Sequence, residues 1–331
     1  MSVVRHVTPV RPESATGIVA EVYRQVDKEF SSIGPAVRIL SPMPEALAAG
    51  WAMIRESQLT GSAPVRDKAI LALGVAQALD CEYDTVSWIA ALEMAGETRL
   101  AADLREGKPP AEDNVRALLE WARASARGPM PERPFPAELT AEFIGTLLFT
   151  HLIGRLVHAM LPQGLLPGSL TGDEPPPFDG APVFRDVFQQ RAAGTGLELI
   201  DEPPEELLPE WAGDAPAGAA FAGLVAVATE GAALLSEQAE DLVATVIAKN
   251  GGWAPGVPSY ELLAPVAGVP FADRATAELA VLAALAPARI TDARVAAWQA
   301  AGGHGDRDTI ALLLYGAMSA VLRVEKRASG A

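Results

Sequence analysis

The apolar residues of this chain recur every three to four positions along most of its length, which is the spacing of amphipathic α-helices. In the run from 44 to 58, the apolar stripe includes Leu47, Trp51 and Ile54. The run from 65 to 79 is apolar on most of its circumference after one charged turn. It therefore predicts a helix that lies buried between other helices.

The same spacing continues beyond the first two runs, and turns rich in glycine and proline separate the helical stretches. Alternation with a period of two residues is scarce, and alanine is abundant. The predicted fold class is therefore all-α. The further predicted helices run from 81 to 95, 112 to 126, 140 to 161, 217 to 234, 237 to 249, 273 to 286, 291 to 301 and 306 to 327.

A proline-rich stretch divides the chain into two halves. Ten of the 27 prolines fall between 162 and 216, where long helices cannot persist. The segment L-I-G-R-L-V in the first half resembles A-V-L-R-V-E in the second when Arg155 is aligned with Arg323. We therefore expect an internal duplication. The predicted domains are a first repeat with an N-terminal arm (1–161), a connector (162–216) and a diverged second repeat (217–331).

Composition excludes several classes of function. The chain has 331 residues, is 50% hydrophobic and carries a net charge of −16, which disfavours nucleic acid and anionic membranes as partners. Its single cysteine excludes an internal disulfide. The amino-terminal M-S-V-V-R-H-V-T-P-V lacks the apolar core of a signal peptide, and no stretch of about 18 uninterrupted apolar residues follows. We expect a soluble, cytoplasmic protein.

The segment C-E-Y-D-T-V-S-W opens a predicted helix and holds the first candidate site residues. Helical spacing places Cys81, Asp84 and Trp88 on one face. Neighbouring acidic groups would raise the pKa of the Cys81 thiol, so it is either a weak nucleophile or a buried space-filling residue. Asp84 is either a solvated partner of the helix dipole or a general base. Tyr83 and Trp88 are core aromatics or the walls of a substrate cavity.

The helix from 140 to 161 carries three polar residues on one face of an apolar surface, at i, i+4 and i+7. Arg155 could hold a carboxylate or enolate oxygen while His151 transfers a proton, with His158 as a further substrate contact. Alternatively, Arg155 pairs with an acidic residue of the first half and His151 is a core histidine. The guanidinium between the two histidines would repel a cation, so we expect no metal site.

The charged turn, the apolar helix, the C-E-Y-D-x-x-x-W segment and the later helix bearing R-L-V together resemble the AhpD-like alkylhydroperoxidase and carboxymuconolactone decarboxylase superfamily. The resemblance covers 30–160 well and 217–327 faintly, and implies two all-α repeats. The peroxidase branch carries Cys-x-x-Cys-x-x-x-His, against which Cys81 matches the first position while Asp84 and Trp88 replace the other two groups. Another branch carries Tyr-Glu-x-x-x-His, which Tyr83 and Asp84 approximate.

Three functions remain open. The first is a cofactor-independent lyase, isomerase or cyclase that acts on a small organic acid or biosynthetic intermediate. The second is a residual thiol peroxidase that uses Cys81 and an external thiol. The third is a non-catalytic scaffold, which predicts no polar-lined cavity between the helices from 81 to 95 and from 140 to 161. Nucleotide-binding and serine-hydrolase motifs do not occur, so we expect no cofactor. We also expect a homo-oligomer.

Overall fold

The computed structural model describes residues 3–30, 33–167 and 191–330, and within these ranges the chain folds into α-helices without a β-strand. The predicted all-α class is confirmed, although the prediction omits four of the helices described next, the first, second, sixth and eleventh. The helices are α1 (Gly17–Phe30), α2 (Pro35–Arg38), α3 (Pro44–Ile54), α4 (Val65–Ala78), α5 (Glu82–Met94), α6 (Thr98–Arg105), α7 (Asp113–Arg127), α8 (Thr140–Met160), α9 (Pro216–Thr229), α10 (Glu237–Lys249), α11 (Ser259–Leu263), α12 (Arg274–Leu285), α13 (Asp292–Gly302) and α14 (Asp306–Ser329).

The two longest helices, α8 and α14, pack against each other near the centre of the molecule. Helix α8 also packs on α4, and α14 packs on α12. Almost the whole circumference of α8 is buried, because it is surrounded by helices from both halves of the chain. One hydrophobic cluster includes residues of both predicted repeats. The duplication and its domain boundaries stay predictions.

The predicted connector lies partly outside the described residues, since the structure describes nothing from 168 to 190. Its described part, from 191 to 215, contains only short 3-10 turns and no α-helix. Glu56, which is buried, accepts hydrogen bonds from the backbone N–H groups of Gly194 (2.7 Å) and Gly196 (2.8 Å). This carboxylate therefore ties the connector to the end of α3.

Helix α3 ends in a π-helical turn, Arg55–Leu59, whose five residues are all buried. A π-turn inserts one residue into the helical ladder and re-aims the side chains that follow, and such turns are frequent at functional sites. Here Glu56 contacts the connector, whereas Gln58 lines a cavity described below. The π-turn therefore directs one side chain to the connector and another to the cavity.

The loop between the π-turn and α4 is held by a buried ion pair. The Nζ atom of Lys68 contacts Glu142 of α8 and donates to the carbonyl of Thr60. Glu142 also accepts from the N–H groups of Ser62 (2.7 Å) and Ala63 (3.0 Å). Burial alone would raise the pKa of Glu142, but the hydrogen bond and charge of Lys68 outweigh it and lower the pKa.

Replacing Gly61 by alanine should destabilise the protein by about 2–4 kcal/mol. Gly61 has a φ of +94°, and an added Cβ would lie 2.2 Å from Cδ of Glu142, which Lys68 holds in place. Gly96→Ala is the matched control, because Gly96 has a φ of +89° but no atom within 4 Å of its added Cβ. Urea denaturation measures both variants; equal losses would contradict the steric account.

Two described helical stretches are long and apolar enough to cross a membrane by length and composition alone, Ala137–Met160 and Pro216–Leu234. The most apolar part of the first is 89% buried within the protein, and that of the second is 56% buried. Core helices of soluble proteins pass the same test, so these two helices are weak support for a membrane location. The cytoplasmic location stays a prediction.

Candidate functional site

Asp80 stands just before α5 and is a residue type that often caps helices, but it does not cap this one. Asp80 adopts a left-handed conformation with a φ of 55°, and its side chain pairs at the surface with Arg127. Cys81 takes the N-cap position without a side-chain capping bond, and α5 starts at Glu82. This turn brings the first residues of α5 against α8.

A cavity of about 190 Å³ lies between α2, α3, α5 and α8, and we call it the first cavity. Its walls are mostly aliphatic and aromatic, with Trp51, Trp88 and Phe149 among them. Its polar lining side chains are Gln58, Tyr83, Asp84, Ser87 and Thr150. An apolar cavity with a few polar groups is the usual form of a small-molecule site.

Asp84 is the ionisable carboxyl group of the first cavity. It is 7% exposed, and burial raises its pKa to about 6, although the hydrogen bond from Cys81 lowers it in part. A Cβ on Gly154 of α8 would lie 3.5 Å from Oδ2 of Asp84 and 2.9 Å from Leu79. The absence of a side chain at Gly154 therefore lets α8 approach and bury this carboxyl group.

The Cys81 thiol donates to Oδ2 of Asp84 across 3.4 Å. Cys81 is 1% exposed, and its pKa is raised well above the ordinary value, first by burial and then by the charge of Asp84. A thiol is nucleophilic as its thiolate, so this environment suppresses its reactivity. This burial is compatible with both sequence alternatives, a weak nucleophile and a space-filling residue.

Tyr83 and Trp88 are half-buried and line the first cavity. This position is the one expected if the two aromatic residues form the walls of a substrate cavity. Burial, followed by the charge of Asp84, raises the pKa of the Tyr83 hydroxyl. Ser87 uses its own hydroxyl to donate to the Tyr83 carbonyl at 2.7 Å. The aromatic rings leave Asp84 in apolar surroundings.

His151 and Arg155 are fully buried but line neither described cavity, so they do not share a cavity with Asp84. The Arg155 guanidinium donates to the carbonyls of Ala284 (3.0 Å), Gly252 (2.7 Å) and His151 (2.7 Å). It also lies 5.1 Å from the ring centroid of Trp253. Among the described residues its acceptors include no carboxylate, so the expected acidic partner is replaced by backbone oxygens of the second half.

The His151 imidazole is occupied on both sides. Arg155 donates to its Nδ1 atom (3.1 Å), so Nε2 carries the proton and donates to Ser125 Oγ (2.7 Å). Burial, followed by the charge of Arg155, holds the pKa of His151 well below its ordinary value. The imidazole is therefore neutral, and proton transfer to a ligand would require these contacts to break.

His158 and Cys81 line a second cavity of about 380 Å³, which lies between the start of α5, the end of α8 and the loops near Trp253 and Arg289. The Nε2 atom of His158 donates to the carbonyl of Leu79 (2.9 Å), and burial lowers the pKa of the imidazole. Tyr83 lines both cavities. The hydrogen bond from Cys81 to Asp84 thus connects the two.

The predicted site residues therefore separate into three sets. Tyr83, Asp84 and Trp88 meet at the first cavity, and Cys81 and His158 at the second. His151 and Arg155 contact each other in the core, and Arg155 also donates to carbonyls of the second half. The first cavity lies between α5 and α8, where the scaffold hypothesis expected no polar-lined cavity; its walls are mostly apolar and include five polar side chains. Within the described residues, no group of three histidine, cysteine or acidic side chains could hold a metal.

The sequence prediction missed Gln58 and Thr150, which also line the first cavity. Thr150 donates to the carbonyl of Thr146 (2.8 Å) and accepts a long hydrogen bond from Gln58 Nε2 (3.4 Å). Gln58 stands at the end of a predicted helix, where a polar residue is ordinary. Only the π-turn gives it a place at the cavity, and no sequence pattern indicates that turn.

Comparison with known proteins identifies a relative over nearly the whole chain. An alkyl hydroperoxide reductase of Mycobacterium tuberculosis is 32% identical over 302 residues, which cover 90% of this chain and 87% of the relative. The chain belongs to the AhpD-like family. No family model matches the sequence, and no solved structure matches it. Membership of the AhpD-like family agrees with the all-α fold, whereas the tandem repeat and the altered motif at Cys81, Asp84 and Trp88 rest on the sequence alone.

Proposed function

We propose that this AhpD-like protein is a cofactor-independent enzyme that moves a proton on a small molecule in the first cavity, with Asp84 as the general base. Lyases, isomerases and cyclases share this step. The observation that carries the proposal is a buried carboxyl group in an apolar cavity with a pKa of about 6. A general base works best when its pKa lies near the working pH.

The surroundings of Asp84 support this role. At neutral pH the carboxyl group is ionised for most of the time, and the apolar walls leave it weakly solvated, which increases its basicity toward a bound substrate. The Cys81 thiol donates to one of its oxygens and thereby orients it. In this proposal Cys81 is a positioning residue, and Tyr83 and Trp88 form walls that exclude water.

The test is exchange of carbon-bound hydrogen in heavy water, followed by NMR on a panel of small ketones, lactones and enols. Asp84→Asn should slow exchange on any compound that the wild type processes by about 10²- to 10⁴-fold. Cys81→Ala should retain most of the rate. Glu82→Gln is the matched control, since it makes the same chemical change at an exposed position in the same helical turn. Unchanged exchange in Asp84→Asn would reject the proposal.

A second candidate function is thiol peroxidase activity, which the name of the mycobacterial relative favours. The Cys81 thiolate would attack a hydroperoxide oxygen, give a sulfenic acid and an alcohol, and be reduced by an external thiol. Asp84, in contact with the thiol, would accept its proton and return it to the alkoxide that leaves when the O–O bond breaks. The raised pKa of Cys81 opposes this step, so we place it second.

Consumption of cumene hydroperoxide in the presence of a dithiol separates the two candidates. Peroxidase activity requires that Cys81→Ala abolish consumption, whereas the proton-transfer proposal requires that this variant keep deuterium exchange. Wild-type protein that neither consumes hydroperoxide nor acquires an oxidised Cys81 would remove the second candidate.

A further inference from the structure

Gln58 lines the first cavity and carries a hydrogen-bond acceptor that the described protein groups leave unused. Its side chain is 3% exposed, and its buried Oε1 atom has no hydrogen-bond partner among the residues that the structure describes. A buried amide oxygen without a donor costs free energy, and such groups in folded proteins call for an explanation. A ligand in the cavity that supplies a donor would satisfy this oxygen.

The orientation of this amide follows from its neighbour. The Thr150 hydroxyl uses its hydrogen to donate to Thr146, so it can only accept from Gln58. The Nε2 atom of Gln58 therefore faces Thr150, which leaves Oε1 as the free acceptor. The amide thus presents an acceptor rather than a donor to a bound molecule.

The charge of the cavity wall is the second observation. Among the described residues that line the first cavity there is no arginine, lysine or histidine, and the one ionisable acid is Asp84. Arg155, the predicted anion anchor, makes its hydrogen bonds on the far side of α8 with residues of the second half. A carboxylate ligand would lose its hydration without gaining a cation and would be repelled by Asp84.

We infer that the first cavity selects neutral, largely apolar molecules that carry a hydrogen-bond donor such as a hydroxyl group, with Gln58 as the residue that recognises the donor. This replaces the small organic acid expected from the sequence by an uncharged substrate class. The inference rests on the proposed function only in taking the first cavity as the substrate site. Gln58 acts by binding and orienting and does not take part in the proton transfer.

Three matched probes test the inference by isothermal titration calorimetry near neutral pH: 2-naphthol, 2-methoxynaphthalene and 2-naphthoate. All three share the flat, apolar naphthalene ring. The naphthol carries a hydrogen-bond donor, the methoxy compound has that donor blocked by a methyl group, and the naphthoate carries a negative charge. Wild-type protein should bind the naphthol about threefold to tenfold more tightly than the methoxy compound. It should bind the naphthoate at least about a hundredfold more weakly than the naphthol.

The variant Gln58→Leu should remove the preference for 2-naphthol over 2-methoxynaphthalene while it still binds both, because leucine keeps the apolar volume. Gln238→Leu, at an exposed position of α10, should leave all three affinities unchanged. A preference that persists in Gln58→Leu would assign donor recognition to Asp84 and overturn the role of Gln58.

The wild-type ranking needs no variant and is decisive on its own. Binding of 2-naphthoate as tight as that of 2-naphthol, or no binding of any probe, would overturn the inferred ligand class. Because the readout is binding, this failure is distinct from unchanged deuterium exchange in Asp84→Asn, which would reject the proposed function alone.

Discussion

Replacement of Arg155 by alanine should lower the free energy of unfolding by more than about 5 kcal/mol and leave little or no folded protein at room temperature. The truncation removes the donors that Arg155 supplies to the buried carbonyls of Ala284 and Gly252, for which no other donor is seen in the described ranges. Each buried acceptor left without a donor costs about 1–3 kcal/mol, and the emptied volume of the side chain adds a cavity cost.

Two further variants make this prediction specific. Arg155→Lys keeps a cation and part of the hydrogen bonding, so an intermediate loss of about 2–4 kcal/mol is expected. Arg323→Ala is the matched control, because Arg323 holds the aligned position in α14 and is half-buried. Its loss should stay below about 1 kcal/mol. Circular dichroism during urea denaturation measures all three.

The outcome also decides between two roles for Arg155. An Arg155→Ala variant as stable as the wild type would contradict the structural role and return the guanidinium to the candidates for ligand binding. In the structural role, a fully buried cation held by backbone oxygens joins α8 to the second half of the chain. Burial, followed by the charge of Arg327, lowers the pKa of Arg155 to about 9, which leaves it charged at neutral pH.

The two possible roles of Arg155 show which structural features helical periodicity can predict and which it cannot. The spacing of His151, Arg155 and His158 predicts one face of one helix, and all three lie in α8. It does not reveal which surface that helix face meets. The acceptors of Arg155 lie 97 and 129 residues away along the chain, at Gly252 and Ala284, and only the packing of the two halves brings them together.

The part of the candidate site that depends on helix spacing could be predicted from the sequence, whereas the part that depends on long-range packing could not. The segment from 81 to 88 contributes Tyr83, Asp84 and Trp88 to one cavity, as residues one turn apart on a helix should. The burial that raises the pKa of Asp84 depends on the approach of α8 at Gly154, which is a long-range contact. The acceptor of Gln58 depends on a π-turn, and neither feature has a local sequence signal.

Asp84→Asn should make the protein more stable at neutral and alkaline pH and change its stability little near pH 4. In the folded protein the pKa of Asp84 is raised from 3.8 to about 6, so the folded state holds this proton after the unfolded state has released it. Wild-type stability therefore falls as the pH rises through this window. The cost above pH 6 is about 3 kcal/mol, which the neutral asparagine avoids.

The measurement is the free energy of unfolding in urea for the wild type, Asp84→Asn and Glu82→Gln between about pH 4 and pH 8. The difference between Asp84→Asn and the wild type should grow across the window and then stay constant, because Cys81 and Tyr83 remain neutral there. The exposed Glu82→Gln control should shift stability by less than about 0.5 kcal/mol throughout. A difference independent of pH would show that Asp84 titrates normally, which would remove the physical basis for its role as a base. If Asp84→Asn gains stability and loses deuterium exchange, Asp84 is a residue that lowers the stability of the folded protein and is required for its activity.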